Sequence, residues 1–193
     1  IIMNNLGATS FTTTEINISS VANYIIQNDD TAAVTIEDVS GNEDDGSITV
    51  TATLDNPVDG GFMLDVGSTD NTATTADNDY TAVVSETLTF SGTAGETQTF
   101  TVTPTADTKL EGDEGVFLGI GNLQGTSLTV ALNDGANVTF LNDDAASVTI
   151  QDISANEDDG TITVRASLDN EVQGGFTVDV STTDGTATIA DSD

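Results

Sequence analysis

The chain of 193 residues has no cysteine, no histidine and no tryptophan. Only two residues are basic, Lys109 and Arg165, against 33 Asp plus Glu, and the formal net charge is −31. Each absence excludes something. Without cysteine there is no disulfide framework, and without cysteine or histidine no zinc-type metal centre. A Ser-His-Asp or Cys-His nucleophilic centre is equally excluded. Nucleic-acid binding rests on Lys and Arg against phosphate, so no nucleic-acid partner is expected. An anionic lipid surface would repel the chain. No apolar run approaches the length of a membrane span, so no direct membrane insertion is expected, and no signal-peptide pattern is found.

What is present is threonine, 34 residues of it, and an apolar fraction of 36%, enough for a core despite the acidity. The sequence also repeats itself. VTIEDVSGNEDDGSITVTATLDN, from Val34, returns as VTIQDISANEDDGTITVRASLDN, from Val148, and 31 of 46 positions over 34–79 and 148–193 are identical at an offset of 114. ANYIIQNDD at 22–30 aligns with ANVTFLNDD at 136–144 at the same offset. The expected organisation is therefore 1–30 as the C-terminal part of one repeat, 31–144 as a complete repeat and 145–193 as the N-terminal part of the next. A window cut from a longer tandem array accounts for the start at Ile1 and the stop at Asp193.

Within a repeat the apolar period is two. Ile48, Val50, Ala52 and Leu54 alternate with Ser47, Thr49, Thr51 and Thr53, and Phe62, Leu64 and Val66 follow the same rule. Threonine on the outer face favours strand geometry while staying wet. Clusters of Gly, Asp and Asn punctuate the runs. The pattern predicts strands near 32–38, 46–54, 60–68, 86–90, 96–104, 115–121 and 136–141, with a further hairpin strand at 127–132. Seven or so short strands in 114 residues make a β-sandwich. The fold class expected is all-β, a tandem array of antiparallel, immunoglobulin-like sandwiches.

The acidic residues crowd into loops: Glu43, Asp44 and Asp45; Asp70, Asp77 and Asp79; Asp107, Glu111, Asp113 and Glu114; Asp143 and Asp144. Gathered carboxylates without basic partners repel, and need a cation or a raised pKa. Ca²⁺ takes six to eight oxygen ligands and suits such loops better than Mg²⁺, which keeps its waters. Lys109 sits inside one cluster and is expected to neutralise a neighbour.

NEDDGSITV, TATTADNDY, LTFSGTAGETQTFTV, ADTKLEGDEGVFLGI and VTFLNDD, in this order, resemble the successive signatures of the Calx-β domain, a calcium-binding sandwich of sodium–calcium exchangers, integrin β4 and large bacterial surface proteins. The resemblance covers 31–144 and most of 145–193. It implies Ca²⁺ as cofactor and, as ligands, Glu43 in the first loop, Asp79 before the aromatic residue, Asp107, Glu111 and Glu114 after the fifth predicted strand, and Asp143 and Asp144 at the end. Asp29, Asp30, Glu157 and Asp193 hold matching positions in the partial copies. Ala106 and Asn142 stand where exchanger-type domains carry further acids, which implies one or two ions per site.

Other motifs are weak. Asn17-Ile18-Ser19 and Asn137-Val138-Thr139 match the N-glycosylation pattern but fall on predicted strands, and Asp30-Thr31-Ala32 matches an O-glycosylation acceptor. Paired carboxylates serve glycosidases, but sugar clefts need aromatic platforms, and the chain has two Tyr and no Trp. No enzymatic activity is expected. The resemblance implies a calcium-stabilised stalk segment of a giant repetitive adhesin on a bacterial surface, like those that gliding Bacteroidota move along their surface, with neighbouring repeats of the same chain as partners. The alternative is a calcium-dependent module for a surface glycan or protein ligand.

Overall fold

The computed structural model describes residues 23–133 and 135–191. The Asn17 sequon, Asp193 and most of the 1–30 segment lie outside them. Residues 23–31 carry no helix or strand.

From residue 32 the chain builds β1 (Ala32–Ile36), β2 (Val39–Asn42), β3 (Ile48–Leu54), β4 (Phe62–Asp70), β5 (Tyr80–Thr81), β6 (Glu86–Phe90), β7 (Thr97–Pro104), β8 (Glu114–Gln124), β9 (Val130–Asn133) and β10 (Ala136–Leu141). β11 (Val148–Ile150) and β12 (Ala166–Leu168) follow. The first ten form two five-stranded sheets, in the orders β5-β7-β3-β1-β9 and β2-β10-β8-β4-β6. Alternation decides which side of each strand is buried. Ile48, Val50, Ala52 and Leu54 of β3 face inward while the threonines between them face water. They meet Leu64, Val66, Val116, Leu118 and Val138 of the other sheet in one core. Phe62 and Phe90 stack within it at 5.0 Å between ring centroids. Each such side chain contributes about 1.5–3 kcal/mol of burial.

The sandwich is as the pattern predicts, with four differences of detail. The run expected as one strand over 32–38 is two: β1 pairs with β3, then the chain crosses at Glu37-Asp38 and β2 joins the other sheet against β10. Asp38 secures the crossing by accepting the Asn137 amide at 2.8 Å. The sheets are consequently mixed, since β1 runs parallel to β9 and β2 parallel to β10. The segment expected as a hairpin strand at 127–132 supplies β9, which pairs with β1 instead of its neighbour in sequence. β5, two residues against Pro104 and Thr103, is too short for a period to register.

At the 114-residue offset the local contacts recur. Val34 pairs with Leu54, and Val148 with Leu168. Asp55 accepts the Ala33 amide, and Asp169 the Ser147 amide, each at 2.6 Å. The apolar residues of 148–168 are nonetheless exposed, Ile150 by 53%.

The loop between β6 and β7 is held by backbone packing. Gly92 has φ 90°, its carbonyl accepts the Val58 amide at 2.9 Å, and a Cβ there would lie 1.9 Å from the Val58 oxygen. Gly95 has φ 73° but open space around it. Gly92→Ala is expected to cost about 2 kcal/mol or more, strain plus forced separation, and Gly95→Ala about 1 kcal/mol from strain alone. Urea melts of the two variants check the order.

Candidate metal centre

Strand direction gathers the acidic loops. β2, β4 and β10 run the same way in one sheet, and β7 runs with β1 in the other. Their C-terminal ends, and the start of the opposed β8, therefore share one end of the sandwich. From those ends project Glu43, Asp79, Asp107, Glu111, Glu114, Asp143 and Asp144.

Six of the seven fall into two triads. Glu43, Asp107 and Asp144 each offer a carboxylate oxygen, and these atoms lie within 4.8 Å of one another; Asp79, Glu111 and Glu114 form a second group by the same measure. Asp143 belongs to neither. Successive side chains of an extended segment point opposite ways. Asp144 turns inward, whereas Asp143 is exposed beside Asp44 and Asp45. Partial desolvation first, then the charges of Asp44, Asp144 and Asp45, raise its pKa.

Local structure fixes several of these groups. Glu43 opens a single 3-10 turn, 43–45, after β2, and the turn is tied back by the Asn42 amide donating to Asp45 at 2.8 Å. This delivers Glu43 into the interior, where it is 7% exposed. Asp79 accepts the Thr74 amide at 2.7 Å, and its own carbonyl takes the Thr105 amide at 2.8 Å. Tyr80 follows, buried, with its hydroxyl donating to Asp70 at 2.8 Å. Asp107 accepts the Lys109 amide at 2.7 Å.

One residue was missed by sequence reasoning. Asn142 accepts the Glu111 amide at 3.3 Å and donates to the Asp144 carbonyl at 3.1 Å, bracing both triads. With Glu43, Asp79, Glu111 and Glu114 it lines a partly open cavity of about 10 Å³, the room that one water-sized occupant needs. In the sequence it read only as a lost acid.

The electrostatics are those of an anion-only pocket. Burial, then a hydrogen bond that protonated Glu43 donates to Asp144, and the charges of Asp144, Asp107 and Glu111, push the Glu43 carboxyl up to about 8. Burial also raises Glu114, and the charges of Asp79 and Glu111 add to it. Lys109 meets Glu111 at 2.5 Å, as expected of it, and its own pKa rises for that reason. With both carboxyls ionised, buried Glu43 Oε1 and Asp144 Oδ2 take no hydrogen bond, nor does Glu111 Oε2 beyond its ion pair with Lys109. Buried acceptors without donors are costly. Oxygen-only donors, several of them orphaned, fit a hard divalent cation.

The pH dependence follows from Glu43. Its carboxyl titrates near 4.5 when free and near 8 in the metal-free fold. Stability from this group is present below about 4.5 and lost as pH rises through about 8. Melting in chelator is expected to shift downward between pH 5 and 8, and Glu43→Gln to flatten that slope. Equal slopes for the two proteins would contradict the assignment.

The comparisons agree with the fold. The family model of the Calx-beta domain matches residues 26–145 and 141–193. The apo-form Calx CBD1 domain superposes with a TM-score of 0.50 at 20% identity, covering 60% of this chain and 100% of that one. CBD12 from CALX1.2 gives 0.50 at 22%, covering 58% and 44%. The calcium binding domain CBD12 of CALX1.1 gives 0.50 at 20%, covering 61% and 50%. The chain thus spans about half the length of the two CBD12 structures, and identities this low speak for the fold alone. No curated protein matches the sequence. By two family matches that together run from residue 26 to residue 193, on a sandwich of the same fold, the chain belongs to the Calx-beta domain family.

Proposed function

We propose that the chain is a calcium-stabilised stalk segment of a giant repetitive adhesin on a bacterial cell surface, carrying an adhesive tip away from the cell for attachment or gliding. The observation that carries this reading is the place of the acid triads. Asp144 belongs to one triad and stands four residues before β11, the first strand of the next copy. A cation there would act on the connection between copies as well as on the loops. Glu43, Asp107 and Asp144 would hold one ion, and Asp79, Glu111 and Glu114 another, each with oxygens from main chain or water to complete the shell. The bound cation supplies positive charge to carboxylates that otherwise repel. The role is mechanical, with no chemistry on a substrate.

The alternative, a calcium-dependent module for a glycan or protein ligand, draws on an open groove on the outer face of β4 and β8. It is lined by Asp65, Ser68, Ser85, Gly119, Gly121 and Asn122. It has no aromatic platform. Glycan-array binding by the chain would favour this reading over the stalk.

Calcium at 100-fold over its Kd is expected to stabilise the chain by about 2.7 kcal/mol per site. Glu111→Gln or Asp79→Asn should remove the second triad's share of the shift and leave that of the first. Glu86→Gln, on β6 away from the triads, should leave it intact. Differential scanning calorimetry with calcium and with chelator checks this, and a midpoint indifferent to calcium contradicts it.

A further inference from the structure

We propose that the turn at 170–175 is a docking element that grips the acidic loop of the copy before it, and that the side chain at position 173 sets whether the grip needs a cation. This deepens the stalk reading and rests on it for the array, although the contact itself is independent of calcium.

Among the described residues one such junction is formed. Leu110, in the loop between β7 and β8, forms a parallel bridge to Val172. The Leu110 amide donates to the Glu171 carbonyl at 2.8 Å, and the Gln173 amide donates to the Leu110 carbonyl at 2.9 Å. Beside this two-bond clasp the Gln173 side-chain amide donates to Glu114 Oε1 at 2.9 Å. The backbone grips the loop between Lys109 and Glu111, and the side chain reaches a carboxylate of the second triad.

The clasp is compatible with a complete sandwich. At the equivalent turn of the complete copy the Val58 amide donates to Gly92 of its own sheet, and Val58 is buried. Along an extended segment the polar groups of neighbouring residues point to opposite edges. The inward edge therefore belongs to residue 58 or 172, and the outward edge to the carbonyl and amide that flank it. Pro57 and Asp59 supply those groups in the complete copy. Neither the Pro57 carbonyl nor the Asp59 amide takes a backbone partner among the described residues. Proline at 57 costs the clasp nothing, because only its carbonyl is used.

The two turns differ where it matters. Position 173 is Gln, whereas its counterpart 59 is Asp. Glutamine can donate to Glu114, but an ionised Asp only accepts. An Asp-type turn would set a further carboxylate against the triad of the preceding copy and dock only with a cation between them. A Gln-type turn docks without one. Alternation of the two along an array would make some joints permanent and others calcium-gated.

Amide hydrogen exchange on the full chain, followed by NMR, tests this. In chelator the Leu110 and Gln173 amides should exchange at least about ten-fold slower than unstructured amides. Gln173→Asp should bring Leu110 close to the unstructured rate in chelator, with protection regained in calcium. Gln173→Ala, which keeps the backbone clasp without adding charge, should keep most of it in both. An unprotected Leu110 amide in the wild-type chain overturns the clasp. Equal protection in the Asp and Ala variants in chelator overturns the role of position 173. Calcium binding is scored separately, by the melting shift of the same samples. If that shift is absent, the calcium reading fails, while a protected Leu110 amide still supports the clasp.

Discussion

Repulsion between carboxylates gathered at one end of the sandwich is the constraint on which the rest depends. Two unit charges within 4.8 Å of each other, as in each triad, repel by about 3.5 kcal/mol or more at an effective dielectric of about 20. The chain has few internal answers. Its single lysine is spent on Glu111. Protonation serves for Glu43, whose carboxyl is pushed up to about 8. What remains are the orphaned oxygens of Glu43 and Asp144, which a divalent cation would satisfy by taking several oxygens into one shell.

The architecture imposes this crowding. The first strand changes sheets at Glu37-Asp38, so that Glu43 emerges among the ends of β4, β7 and β10. Had β1 stayed in one sheet, the NEDDG loop would leave from the other layer. The crossing also makes the two parallel pairings, with β9 and β10, that close the sandwich edge. Crowding and closure thus come from one feature, and the next copy meets both. Its first strand follows Asp144, and its 171–173 segment lies against Leu110.

Much of this was legible in the sequence, for physical reasons. A buried face and a wet face impose period two, so the inward side of β3 could be read off Ile48, Val50, Ala52 and Leu54. Carboxylates that crowd without bases are visible as composition, but composition marks twelve acids in those loops; the resemblance to the Calx-β domain picked the six triad residues from among them, together with Asp143. Partnering was not legible. Nothing in the spacing of 32–42 says that β1 and β2 serve different sheets, because both read as one extended run. β5 is two residues long and has no period. The pairing of Leu110 with Val172 is main-chain to main-chain and leaves no mark in side-chain pattern. The outward turn of Asp143 depends on the parity of an extended segment whose register the sequence leaves free. Asn142 was hidden for a different reason, since its role is to hold two loops and not to add charge.

The central claim is that the two triads are cation sites. Anomalous diffraction from crystals of the chain grown in calcium tests it most directly. The account predicts density within about 2.3–2.6 Å of carboxylate oxygens at Glu43, Asp107 and Asp144, and again at Asp79, Glu111 and Glu114, with Lys109 no longer the sole partner of Glu111 Oε2. Crystals at saturating calcium that show no anomalous peak at either triad, with Glu43 still hydrogen-bonded to Asp144, would contradict it.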